Sequence, residues 1–273
     1  SMVRRSNSFN LTNSGSRTLL ATDDIKSGTI LMEISRDLMI WDVDAIRNKF
    51  IRRELFSVLK GDILDTMSKR AAILSSYLAL LRNNAIPTAS RRLQISVAKN
   101  LPTYEEYASF HPILADLDQI KMYLGGEHSP TYQHLKQVRK SLNEEYALLA
   151  STSTSFANLI SRQEYLACRI AVQSRTFELN DIPTSEVSKK ERTYYKQTIG
   201  IDFTSVASIE PVNDFMNSHV NNNVKVGGYN AKKRIGQTWA IKDINMGDEL
   251  INSYGETFYN HVLFPMSVGC VSV

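Results

Sequence analysis

Cysteine is nearly missing from this chain. Only Cys168 and Cys270 occur in 273 residues, far apart, which excludes a cysteine-rich zinc cluster and fits a reducing compartment. No apolar run reaches membrane-spanning length, and no signal-peptide pattern opens the chain. Charge of one sign is scarce as well. The 32 basic and 28 acidic residues leave a net charge of +4, too little to argue for nucleic acid. The pairs Arg52-Arg53, Arg91-Arg92 and Lys189-Lys190 are scattered among acids and read as solvated faces, although an acidic protein partner stays compatible with them. Neither a Ser-His-Asp pattern nor metal-ligand spacing is present. What remains is the composition of a soluble globular protein, long enough for one large domain or two ordinary ones. Ser1-Met2 resembles an expression scar, so a natural targeting segment is expected to have been trimmed. A cytoplasmic or nuclear location is the expectation.

The chain spells one phrase twice. Residues 21–31 read ATDDIKSGTIL and residues 240–250 read AIKDINMGDEL. Ala21/Ala240, Asp24/Asp243, Ile25/Ile244, Gly28/Gly247 and Leu31/Leu250 recur at identical spacing. Each copy reads as two strands joined by a polar turn, with glycine where a positive φ is wanted. Two matched β units then bracket a long middle, and such a chain closes its fold only when its ends meet.

The pattern is β from about Phe9 to Trp41 and helical from about Val43 to Arg175. Leu74, Tyr77, Leu78 and Leu81 predict one apolar stripe, and Leu135, Val138, Leu142 and Leu149 repeat it on a longer helix. Thr103 with Glu106, and Ser161 with Glu164, have capping-box spacing. The Ser-Thr run 151–155 reads as a connector and residues 180–192 as a polar loop. Strands return from about Tyr194, most clearly at 224–226, 238–241 and 249–253, before an irregular apolar tail.

Chemistry-bearing residues crowd into that last region. Asp214, Asn217 and His219 lie just before a polar run, Asn221 to Asn223, and the second β phrase runs straight into Tyr254-Gly255. Asn-rich loops commonly only make turns, and a Tyr after a strand is commonly half-buried core. A Tyr before Gly at a strand end also has the means to place a phenol at a cavity mouth.

Taken in order, these pieces resemble the SET-domain methyltransferases, and within them the Rubisco large-subunit lysine methyltransferase group. The carriers are SRTLLATDDI at 16–25, SYLALLRN at 76–83, Phe110-His111-Pro112, LGGEHSP at 124–130, SRTF at 174–177, PVNDFMN at 211–217 and INMGDELINSYG at 244–255. The resemblance implies an α+β fold with a β-rich SET core built from both ends of the chain, interrupted by a helical insert. Its expected divisions are 9–42 for the N-terminal core, 43–193 for the insert, 194–257 for the C-terminal core with the motifs, and 258–273 for the tail. It further implies S-adenosyl-L-methionine as cofactor, no metal, and methyl transfer to a lysine of a non-histone protein. The partner would be that protein substrate, with neither nucleic acid nor membrane, and the chain would act as a monomer.

Residue by residue, Tyr254 matches the family's catalytic tyrosine, which also touches the cofactor. Asn217 matches the cofactor-holding Asn, with Ser218 beside it, and main-chain groups of Arg17, Thr18 and Leu19 would cradle the cofactor from the other end. Arg175 resembles the Arg near the cofactor carboxylate and substrate, where a planar guanidinium suits a carboxylate. Ser174 and Asp214 resemble the polar lining around the acceptor amine. Three departures stand beside these matches. Thr18 occupies the second Gly of Gly-x-Gly-Leu, and Asn217-Ser218-His219 replaces Asn-His-Ser. After Tyr254-Gly255, Phe258, Tyr259 and an unrelated tail stand where the family's Ser-Asn pair and the helix after it are expected. A protein-histidine methyltransferase and a SET-shaped binding module without turnover therefore remain as alternatives.

Overall fold

The computed structural model describes residues 3–7, 17–61, 64–85, 91–219 and 221–253. Among the described residues the first elements are strands: β1 (Val3–Asn7), β2 (Arg17–Ala21), β3 (Ile30–Ser35) and β4 (Ile40–Trp41). Helices follow: α1 (Asp42–Arg47), α2 (Lys49–Glu54), α3 (Phe56–Lys60), α4 (Thr66–Arg82), α5 (Arg92–Lys99), α6 (Tyr104–Phe110), α7 (Leu117–Lys121), α8 (Pro130–Thr152), α9 (Thr154–Leu159) and α10 (Arg162–Arg175). Then come β5 (Thr176–Leu179), α11 (Lys189–Ile199), β6 (Val206–Ile209), β7 (Asn217–Ser218), β8 (Val224–Asn230), β9 (Ile235–Ala240) and β10 (Ile251–Asn252). Helices and strands fall largely in separate runs, with only α11 among the later strands, so the chain is α+β, and among the described residues the strands form four small sheets. β1 pairs with β2, β7 runs parallel to β10, β9 lies between β3 and β8, and β6 lies between β4 and β5.

The two β phrases meet face to face. Ile25 and Ile244 each donate to the other's carbonyl, at 2.8 and 2.9 Å. Gly28 N–H donates to Ala240 at 2.8 Å, and Gly247 N–H donates to Ala21 at 2.9 Å. Asp24 accepts from the Met246 amide and Asp243 from the Ser27 amide, both at 2.9 Å. Each bond has its reverse counterpart, so the copies are related by an approximate two-fold axis. Gly28 and Gly247 hold φ of +84° and +89°, the left-handed turn the phrase needs. Ala21, Ile25, Ala240, Ile244 and Leu250 are buried between the copies with Leu19, Met216 and Val224, a small core separate from the main one.

The main core centres on α4 and α10. On α4 the predicted stripe is less than half of what is buried. Ala72, Ser75, Ser76 and Ala79 on its other side are buried as well, because neighbours cover the helix all round. Ser75 satisfies its hydroxyl internally, on the Ala71 carbonyl at 2.7 Å. On α8, Leu135, Leu142 and Leu149 are buried and Val138 is partly so, as its spacing predicts.

Several local expectations need correction. β1 precedes the point where the β pattern was expected to begin, and β5 follows directly on α10. The Ser-Thr run is no free connector: α8 continues to Thr152, and Ser153 alone turns the chain, its hydroxyl accepting from Phe156 N–H at 3.0 Å. Thr103 and Glu106 form the full capping box. Ser161 caps α10 at 3.1 Å, but Glu164 does not complete a box, its carboxylate being drawn to Arg82 at 3.0 Å. The polar stretch is loop only to Ser188, where an unexpected box of Ser188 with Glu191 starts α11, and Tyr194 is helical. The C-terminal strand is just Ile251–Asn252.

A buried polar hub joins the first strands to the helices. Arg36 grips both Asp44 oxygens through Nη2, at 2.8 and 2.9 Å, and its guanidinium lies 3.5 Å from the centre of the Trp41 ring. Gln94 donates to Asp44 at 3.2 Å and to the Met39 carbonyl at 2.6 Å, and accepts from Tyr77 at 3.1 Å.

Candidate cofactor site

The phrase-to-phrase contact brings distant polar residues together. Leu250 N–H donates to Leu19 O at 2.8 Å, and Leu20 bridges Glu249 in antiparallel register, so β2 lies alongside the segment entering β10. β10 in turn pairs with β7, Ile251 opposite Asn217 and Asn252 opposite Ser218. Three segments far apart in sequence thus run side by side.

At their junction sits Glu249. Its Oε1 accepts from the Asn217 side-chain amide at 2.6 Å, and the Thr18 hydroxyl donates to the same oxygen. Asn223 braces the backbone here. Its Nδ2 donates to the Glu249 carbonyl at 2.8 Å, and its Oδ1 accepts from Ile251 N–H at 2.8 Å. Asn217, Ser218 and His219 are exposed, while Thr18 and Glu249 are half-buried. His219 is tied locally, its Nδ1 accepting from Asn221 N–H at 3.0 Å.

The segment reaching Asn217 is anchored below by a second cluster. Asn213 donates to Glu210 at 2.7 Å and accepts from Thr238 at 3.0 Å, all three being buried. Burial pushes the Glu210 carboxyl up to about 7, against the opposing pull of the Asn213 hydrogen bond. Between Glu210 and Asn213, Val212 holds φ +76°, unusual for a β-branched residue.

Ser174 and Arg175 close α10. Ser174 returns its hydroxyl to the Ile170 carbonyl at 2.7 Å, and Arg175 Nε donates to the Tyr107 phenol at 3.3 Å. Burial raises the Tyr107 phenol, opposed by the Arg175 charge.

Of the residues singled out from the sequence, Thr18, Leu19, Asn217 and Ser218 are brought into one neighbourhood. Ser174 and Arg175 form a group with Tyr107. The main chain of Arg17 begins β2 and that of Asp214 lies in the turn Asn213–Phe215. Their side chains, and the whole of Tyr254, lie outside the described residues. Glu249, Asn223, Glu210 and Tyr107 were not singled out from the sequence. Glu249 stood inside the repeated phrase, whose Gly-Asp-Glu-Leu end was the available signal, and Asn223 in the noted Asn run. Tyr107 gives no local signal, since its partner lies 68 residues on. Among the described residues no cluster of metal-ligating side chains occurs, and no helix is long and apolar enough to cross a membrane.

A family model of the SET domain matches residues 16–255, most of the chain, and the chain belongs to the SET-domain family. No curated protein matches it in sequence. Among solved structures it is similar to the SET domain of LSMT bound to lysine and AdoHcy, at 10% identity and TM-score 0.59, covering 93% of this chain and 49% of that one. It is also similar to Rubisco LSMT bound to AdoMet, at 12% identity and TM-score 0.60, covering 98% and 50%. A third, Rubisco LSMT bound to sinefungin and monomethyllysine, has 11% identity and TM-score 0.60, covering 98% and 51%. The chain therefore spans about half the length of these structures. At such identities the likeness is one of fold.

Proposed function

We propose that the chain is an S-adenosylmethionine-dependent protein lysine N-methyltransferase acting on a non-histone protein. The observation that carries this is the shared Glu249 oxygen, which joins Thr18 of the first strand to Asn217 near the other end. The donor set suits the cofactor. The exposed Asn217 amide and the half-buried Glu249 carboxylate suit a ligand with an ammonium and a positive sulfonium. We read the strands at both ends as the core and residues 43–193 as its helical insert.

When bound, S-adenosylmethionine supplies a methyl carbon on a positive sulfur, open to in-line attack by an amine. The chain's residues have the remaining tasks. Asn217, Ser218 and the main chain of Arg17, Thr18 and Leu19 would hold the cofactor. Arg175, steadied by Tyr107, would meet a carboxylate. Ser174 and Asp214 would line the acceptor, and the Tyr254 phenol would orient it. A free lysine has a pKa of about 10.4 and must shed its proton to attack, which a narrow, water-poor channel favours. Alignment supplies much of the rest.

Titration of the folded chain with S-adenosylmethionine, followed by calorimetry and thermal melting, tests the reading. Ligand at about 100 times its dissociation constant stabilises a fold by roughly 2.7 kcal/mol. Micromolar binding weakened by Asn217→Ala supports a cofactor site. No binding at millimolar ligand turns the chain into a SET-shaped binding module. A methyl group mapped to histidine would replace lysine as the acceptor.

A further inference from the structure

We infer that Glu249 is a positioning residue of this site, fixing the orientation of the Asn217 amide and locking it to the first strand through Thr18. The inference rests on the reading that Asn217 faces a cofactor. An exposed asparagine amide has two orientations, which exchange a donor for an acceptor at the same place. An ionised carboxylate only accepts, so only Nδ2 of Asn217 faces Glu249, at 2.6 Å, and Oδ1 is left for the other direction. Asn217 then offers an acceptor to a ligand's ammonium or amino group. Held this way, it also gives up less side-chain freedom when a ligand binds.

The carboxylate is itself held. Its backbone bridges Leu20 and accepts from Asn223, which also bonds Ile251 at 2.8 Å. Its side chain receives the Thr18 hydroxyl, and this gives a physical account of the threonine standing where the family has glycine. Thr18 is a donor in the tie, over 231 residues of sequence, as well as a bulkier group.

Two variants and two readouts test this. Glu249→Ala removes the acceptor, whereas Glu249→Gln keeps an oxygen that can accept from both partners. In the ligand-free protein, amide hydrogen exchange at residues 217–219 and 18–20 should quicken in Glu249→Ala and stay near native in Glu249→Gln. S-adenosylmethionine affinity should fall about tenfold in Glu249→Ala, the cost of one charge-assisted bond. Adding Glu249→Ala to Asn217→Ala should cost little more, because one acts through the other. Native exchange at residues 217–219 in Glu249→Ala, or native affinity in that variant, would overturn the inference. Exchange that responds in a chain binding no S-adenosylmethionine would leave the tie standing and overturn the cofactor reading instead.

Discussion

Ile25 and Ile244 exchange both of their backbone hydrogen bonds, at 2.8 and 2.9 Å, on the approximate two-fold that relates the two β phrases. Matched sequence here has become matched structure, turn against turn. Gly28 and Gly247 take equivalent places, with φ of +84° and +89° and open space where a side chain would begin. Alanine at either site therefore meets a conformational cost and no clash. Gly28→Ala and Gly247→Ala should each destabilise by about 1–2 kcal/mol in urea unfolding. Closely similar losses are expected from the two, and a several-fold difference would show that the copies bear unequal loads.

The phrase was legible because it repeats at fixed spacing, and the Thr103 box because its partners are three residues apart. The α+β class and the SET family were legible from the resemblance that the ordered motifs carry. The all-round burial of α4 was not, since the serines and small alanines Ala72, Ser75, Ser76 and Ala79, which share its far side with Ile73 and Leu80, carry little hydrophobic signal and are buried by what packs on them. Glu164 illustrates a second limit, its local capping spacing losing to a tertiary ion pair with Arg82. At the candidate site, Asn217 was singled out from its motif, while its bond to Glu249 depends on where two other strands arrive.

The polar hub makes Arg36 costly to replace. Its guanidinium is buried, grips Asp44 twice and stacks on Trp41. Arg36→Ala would strip the buried Asp44 carboxylate of its nearest charge partner, leaving the more distant Arg91 at 3.7 Å and the Gln94 amide at 3.2 Å, so the loss should lie toward the lower end of roughly 3–5 kcal/mol. Arg36→Lys should recover only part of this, as an ammonium supplies the charge without the planar fork or the stack. Chemical denaturation of both variants is the check. A lysine variant as stable as native would mean that charge alone is what the hub requires.

Glu210 predicts the pH dependence. Its native carboxyl is held up to about 7 by burial, against an ordinary value of 4.5. Between these values the unfolded chain releases its proton while the native one keeps it, so stability falls as pH rises. Above about 7 both forms are ionised and the loss is complete, up to about 3 kcal/mol. Glu210→Gln cannot ionise and retains an acceptor for Asn213. Its stability should change less than native between pH 5 and pH 8. Parallel slopes for the two proteins would sink the assignment.

Val212 separates strain from packing. It holds φ +76° and ψ −46°, close to the strained γ-turn, and its side chain is exposed, so little packing offsets the conformation. A non-glycine residue held there costs on the order of 1–3 kcal/mol. Glycine relieves that cost but adds freedom to the unfolded chain, worth about 0.4–1 kcal/mol the other way. Val212→Gly should therefore stabilise the protein, by about 1 kcal/mol in urea unfolding. The strained residue also sets the turn Asn213–Phe215, which delivers Met216 to the small core and Asn217 to Glu249. If the strain serves to aim Asn217, the same variant should gain stability and lose cofactor affinity. A variant that becomes less stable would mean that the surrounding turn favours the conformation, and that no strain is stored there.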